Sequence, residues 1–167
     1  MANGNKSKVK GNGFERDICK YLGELSGLKF MRVPSSGGYM GGSNFSRSSD
    51  MDDTQKRIMD GDIIVPEEWS DWSIEAKFYK DIAWKKLFQP EGAAQLNGWI
   101  EQAKVTSKPY WLLIFKINNA GSYCVIDKKV AEQFDFDLPS CYSVYRNEYF
   151  IMDMKLFLDG NYRRIIK

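Results

Sequence analysis

Two short segments carry residue types at spacings that could do chemistry: Gly61-Asp62-Ile63-Ile64-Val65 and Ser73-Ile74-Glu75-Ala76-Lys77. A turn over Pro66-Glu67-Glu68-Trp69-Ser70-Asp71 would fold them into a hairpin and return Glu75 and Lys77 alongside Asp62. The i, i+2 spacing puts Glu75 and Lys77 on one face of their strand. Two carboxylates converging on one point repel unless a cation sits between them. A divalent metal on oxygen ligands meets that need, and Mg²⁺ usually keeps several waters there. A lysine beside such a water can orient it, or stabilise charge on a phosphoryl transition state. Metal, water and lysine together suit phosphodiester hydrolysis. The same alternation is also what an ordinary exposed strand face looks like. Three features favour the chemical reading. The polar face lies between strands of a sheet, where bare charge is costly. Glu15 stands one step from the apolar stripe of the first helix and can point toward Asp62. Gln95 borders the apolar face of the second helix and can look into the same pocket.

The rest of the composition narrows the choice. The chain has 167 residues and no histidine, which removes Ser-His-Asp and Cys-His catalysis and every His-ligated metal site. Cys19, Cys124 and Cys141 are scattered and odd in number, so neither a zinc cluster nor a full disulfide framework is expected, and a reducing cytoplasm is the simplest home. Hydrophobic residues at 43% and charged residues at 28% fit one globular domain. The most apolar run, Tyr110 to Phe115, is too short to span a membrane. Net charge is only +2, yet the ends are basic, with Lys6, Lys8, Lys10, Arg16 and Lys20 at one and Arg163, Arg164 and Lys167 at the other. Basic ends on a near-neutral body fit a polyanion partner.

The elements that must position these residues follow from periodicity. Residues 1–12 read as a flexible basic arm and 13–167 as a single domain. Gly13 to Leu25 predicts an amphipathic helix through Phe14, Ile18, Tyr21, Leu22 and Leu25. Leu28 to Val33 predicts a strand stopped by Pro34. Residues 34–60 form a long polar stretch, read either as a disordered insertion or as a mobile substrate-contacting loop carrying Arg47, Lys56 and Arg57. Strands at 62–65 and 72–78 follow, the second with Trp72, Ile74, Ala76 and Phe78 on one face. A helix over 91–104 and a strongly apolar strand over 110–117 complete an α, β, β, β, α, β order. Beyond it, a strand at 122–126, a short helix near 128–134, and strands at 142–145 and 149–152 would close the chain.

Taken together, these residues resemble the metal-dependent PD-(D/E)XK nuclease superfamily. Its αβββαβ core has an acidic residue on the first helix, an Asp on the second strand and E-x-K on the third. Glu15, Asp62 and Glu75-Ala76-Lys77 match those positions. Within the superfamily, Lys10-Gly11-Asn12-Gly13-Phe14-Glu15-Arg16 is similar to the K-G-x-x-x-E-R opening of archaeal-type Holliday junction resolvases, a style that phage-encoded relatives share. Arg32-Val33-Pro34-Ser35-Ser36-Gly37-Gly38 is similar to their next element. The resemblance covers roughly residues 8–117. It implies a restriction-endonuclease-like α/β fold, a mixed central sheet flanked by helices. It also implies that Glu15, Asp62, Glu75 and the Ala76 carbonyl bind Mg²⁺ or Mn²⁺, and that Lys77 assists the attacking water. Arg16, Arg32 and Ser35 or Ser36 would hold phosphates, Lys10 would touch the backbone nearby, and Gln95 would be accessory. Two departures stand out: a long loop with Gly61 ahead of Asp62, and a C-terminal part from Ser122 that does not align.

Branched or duplex DNA is the implied partner. Family resolvases act as dimers, so a homodimer is expected, with 122–167 as its source of apolar surface. Tyr142, Val144, Tyr149, Phe150 and Ile151 would supply that surface, or else belong to the core. The function expected is a Mg²⁺-dependent, structure-selective DNA endonuclease that resolves four-way junctions by paired nicks. A general or restriction-like duplex nuclease of the same fold, or an inactive DNA-binding domain, are the alternatives. A phage protein acting in the host cytoplasm is consistent with this. Cys19 lies on the buried side of its helix and reads as structural rather than nucleophilic.

Overall fold

The computed structural model of the chain describes the backbone of residues 3–34 and 60–166, with side chains from Val9 onward within them. The elements run α1 (Asn3–Ser26), β1 (Met31–Arg32), β2 (Ile63–Ile64), β3 (Trp72–Tyr79), α2 (Ala94–Lys104), β4 (Tyr110–Ile117), β5 (Gly121–Asp127), α3 (Lys128–Gln133), β6 (Ser143–Tyr145), β7 (Tyr149–Asp153) and α4 (Met154–Ile165). The first six reproduce the expected αβββαβ order. Strands β3-β4-β5-β7-β6 form one mixed sheet, with β3 and β4 parallel and the other neighbours antiparallel. The short β1-β2 pair lies against the free edge of β3, through the Asp62 N–H donating to the Ile74 carbonyl at 2.8 Å.

The sheet buries both faces, as a parallel-edged sheet between helices must. Phe14, Ile18 and Leu22, one helical turn apart on α1, pack with Ile74, Leu112, Ile114 and Phe157. On the other side Leu96, Trp99 and Ile100 of α2 pack with Leu113, Phe115 and Val125. Period-2 alternation therefore divides β4 cleanly between two cores. Glu75 and Lys77 pair in register with Leu113 and Phe115, so they belong to the α2 face.

The structure corrects two expectations and decides a third between its alternatives. Helix α1 begins at Asn3 rather than Gly13, so residues 3–12 are its first turns and not a flexible arm. Tertiary contacts explain how two glycines are tolerated there: Lys10 rests over the Phe78 ring and Asn12 accepts a hydrogen bond from Arg32. The chain closes with a helix, not with the strand before it. Asp153 caps α4 by accepting from the N–H groups of Lys155 and Leu156, and Met154, Phe157, Leu158 and Ile165 form its buried stripe. Of the apolar residues offered for a dimer surface, Tyr149, Phe150 and Ile151 are core, whereas Tyr142 and Val144 are exposed. No helix among the described residues is long and apolar enough to cross a membrane.

Candidate active site

The site is built on the outer edge of β3. A strand presents alternate peptide groups to each side, and β3 has β4 on one side only. Its free edge offers the Ile74 carbonyl and the Ala76 N–H. Both are taken by Asp62: its backbone N–H donates to Ile74, and its side-chain Oδ2 accepts from the Ala76 N–H at 2.9 Å. The Asp62 carbonyl in turn accepts from the Val33 N–H at 2.9 Å, locking the residue between β1 and β3. In an extended strand one residue's N–H and C=O point to the same side. The Ala76 carbonyl therefore also faces this edge.

Gly61 makes the approach possible. Its φ is +81°, and a Cβ there would stand 2.6 Å from the Ile74 oxygen and 2.8 Å from Ser73 Oγ. Only glycine meets both conditions, which accounts for glycine rather than proline ahead of the aspartate.

Asp62 and Glu75 are both buried, at 9% and 6% exposure. Burial pushes the Glu75 carboxyl up to about 7, and the negative charge of Asp62 beside it adds to the rise. Lys77 works the other way, donating from Nζ to Glu75 Oε1. A buried carboxylate pair answered by one ammonium is short of positive charge. A divalent ion on two carboxylates, a backbone carbonyl and waters would supply it, and that donor set fits Mg²⁺ or Mn²⁺.

The third expected carboxylate stands apart. Among the described residues no three His, Cys, Asp or Glu side chains gather closely enough to hold a metal ion. Glu15 is buried on α1, and its Oε2 accepts from Arg32 Nε at 2.8 Å, while Arg32 Nη2 donates to Asn12 Oδ1 at 3.1 Å. A half-buried guanidinium is the stronger draw on this carboxylate when no ion competes. Cys19, one turn further along α1, is held up at about 11 by burial and by Glu15, so it stays a protonated thiol.

Residues 6–162 match the family described as "Phage putative PDDEXK endonuclease". The chain belongs to this family of phage PD-(D/E)XK endonucleases. No curated protein and no solved structure matches it. The match runs past Ser122, the point beyond which the sequence resemblance could not be extended. As a PD-(D/E)XK endonuclease the chain is a nuclease, of a class that typically uses divalent metals. The remaining expected residues of this phage nuclease distribute as follows. Lys10 and Arg16 are exposed on α1, and Gln95 is half-buried on the first turn of α2, the helix covering the Glu75 face of the sheet. Ser35, Ser36, Arg47, Lys56 and Arg57, with the rest of 35–59, lie outside the described residues. Sequence reasoning missed Asn12 and the role of Gly61.

Proposed function

We propose that this nuclease is a Mg²⁺-dependent, structure-selective DNA endonuclease that resolves four-way junctions by paired nicks, acting as a homodimer. The observation that carries its chemistry is the buried Asp62–Glu75 pair at the open edge of β3, with Lys77 bonded to it. The junction substrate is supported by the Lys10-to-Arg16 opening and by Arg32 standing beside Glu15. Asp62, Glu75 and the Ala76 carbonyl would hold Mg²⁺ or Mn²⁺, with Glu15 as a further ligand if it leaves Arg32. The ion, when bound, supplies Lewis-acid polarisation of the phosphodiester and a more acidic water.

The chain's own residues do the rest. Lys77 presents its remaining N–H donors to the attacking water and to the charge that grows on the phosphoryl oxygens. The water oxygen bonds to phosphorus as the opposite P–O bond breaks in line, and the water's proton ends on the leaving oxygen. The guanidinium of Arg32 has five N–H donors, and its bonds to Glu15 and Asn12 leave others for a phosphate. Until it turns to the ion, Glu15 holds that guanidinium in place. Lys10 and Arg16, exposed on α1, carry the flanking DNA backbone. Ser35 or Ser36, Arg47, Lys56 and Arg57 are proposed as further phosphate contacts on sequence grounds, and Gln95 as accessory.

The test is incubation with Mg²⁺ and a labelled four-way junction, beside linear duplex of the same sequence, with Lys77→Ala as control. Paired symmetric nicks in the junction alone, absent in the variant, are expected. Equal cutting of both substrates would make the protein a duplex nuclease. Tight junction binding without any cutting would leave a binding module.

A further inference from the structure

We propose that Lys116 is a second-site DNA contact, gripping the phosphate backbone from a ring platform made by Phe14 and Phe78, together with Lys10. This rests on the DNA reading above and extends it to a residue outside the metal-binding edge.

Lys116 is the only charged residue in Tyr110–Ile117, the strand at the heart of both cores, and it is half-buried. A lysine in such a place is normally answered by a carboxylate. Lys77, mostly buried on the neighbouring strand, follows that rule by pairing with Glu75. Among the described residues no carboxylate lies within ion-pair distance of Lys116. Its ammonium instead lies 5.7 Å from the Phe14 ring centre and 5.3 Å from that of Phe78. A second ammonium, that of Lys10, lies 5.8 Å from the same Phe78 ring.

Two cations gathered on one aromatic pair is a costly arrangement by itself. Each cation–π contact is weakly stabilising when exposed, and the like charges oppose each other. An anion that visits both relieves the repulsion, and a phosphate backbone supplies regularly spaced anions. The platform is near the site. Lys116 pairs in register with Phe78, the residue after Lys77. At about 3.3 Å per residue, Phe78 stands about 10 Å along β3 from Glu75. The rings and Lys116 lie on the α1 face of the sheet and the Glu75 and Lys77 side chains on the α2 face, so the platform meets a stretch of DNA backbone separate from the one at the metal-binding edge.

The experiment measures duplex and junction binding by fluorescence anisotropy in EDTA over a KCl series. It compares wild type with Lys116→Met, Lys116→Arg, Lys10→Met and Lys155→Met, each checked for folding by circular dichroism. Methionine keeps the apolar stem on the rings and removes only the charge. Lost phosphate contacts reduce the slope of log K against log salt by about 0.9 each on duplex. Lys116→Met and Lys10→Met are each expected to show that reduction, with a three- to tenfold weaker Kd. Lys116→Arg is expected to keep the wild-type slope. Lys155 also lies against a ring, that of Tyr21, and Lys155→Met is expected to change nothing. A folded Lys116→Met protein with the wild-type slope would overturn the assignment and leave the lysine a purely structural ring contact. Should Lys116→Met not fold, an unchanged slope in Lys10→Met would overturn the platform. Wild type that neither binds nor cuts DNA would refute the nuclease substrate itself, a result distinct from either of these.

Discussion

The buried carboxyl pair predicts that the metal-free protein is weakened by its own active site, and Glu75→Gln tests this. In the folded chain the Glu75 carboxyl is raised from 4.5 to about 7, first by burial and then by Asp62. Between those two pH values the folded state keeps a proton that the unfolded state has lost. Stability from this group therefore falls as pH rises through that window, and the full deficit is present above pH 7. The gap corresponds to about 3 kcal/mol at about 1.36 kcal/mol per pH unit, and Glu75 is buried enough for solvent screening to matter little. Glutamine removes the titration while keeping the shape. Urea unfolding in EDTA, followed by fluorescence of the five tryptophans, gives the free energy at pH 4.5, 6 and 8.5. The difference between variant and wild type is expected to grow by about 3 kcal/mol in the variant's favour from the lowest pH to the highest. A constant offset, from Lys77 losing its charged acceptor, is expected beneath it. Adding Mg²⁺ at pH 8.5 is expected to close most of that gap, since an ion at a hundred times its Kd stabilises the wild type by about 2.7 kcal/mol. Parallel pH profiles for the two proteins would refute the reasoning, because the pair would then be under no electrostatic strain that a cation could relieve.

Gly61→Ala is expected to destabilise by about 2 kcal/mol or more and to abolish cleavage, because it combines a φ of +81° with a 2.6 Å clash against Ile74; urea unfolding and the junction assay read the two effects. Arg32→Met leaves the buried Glu15 carboxylate without its guanidinium and is expected to cost about 1–3 kcal/mol, while weakening DNA binding, with Arg32→Lys recovering only part of either. Tyr145→Phe removes a hydroxyl that accepts from the Ala93 N–H at 2.8 Å and donates to Asn97 at 2.6 Å. A loss of about 1–2 kcal/mol in urea unfolding is expected, with cleavage at saturating DNA unchanged.

How much of this was readable beforehand depended on whether the cause was local. The two faces of β3 could be read because alternation of Trp72, Ile74 and Ala76 with Ser73, Glu75 and Lys77 is a local pattern, and both faces met the environments it implies. The closing helix was legible too, in Asp153 and the spacing of Met154, Phe157, Leu158 and Ile165, but the preceding β-rich run masked it. Other features arise only in three dimensions. Residues 28–33 look like a full strand, yet only Met31–Arg32 finds a partner, because β2 offers two residues to pair with. Glu15 could be placed beside the site from its helical position, whereas its capture by Arg32 depends on a contact 17 residues away. The contacts of Lys116 with the Phe14 and Phe78 rings likewise form between three separate elements.

The tie between Val33 and Asp62 has a consequence for what this chain can carry. The Val33 N–H donates to the Asp62 carbonyl, and Arg32 pairs with Ile63, so the two points where the chain leaves and rejoins the described core stand side by side. Lengthening a segment whose ends are already clamped together costs only about 0.6 kcal/mol per doubling. A change of length between Val33 and Asp62 is therefore cheap for the fold, because the aspartate beside the junction keeps its grip on Ala76 whatever the length of chain between.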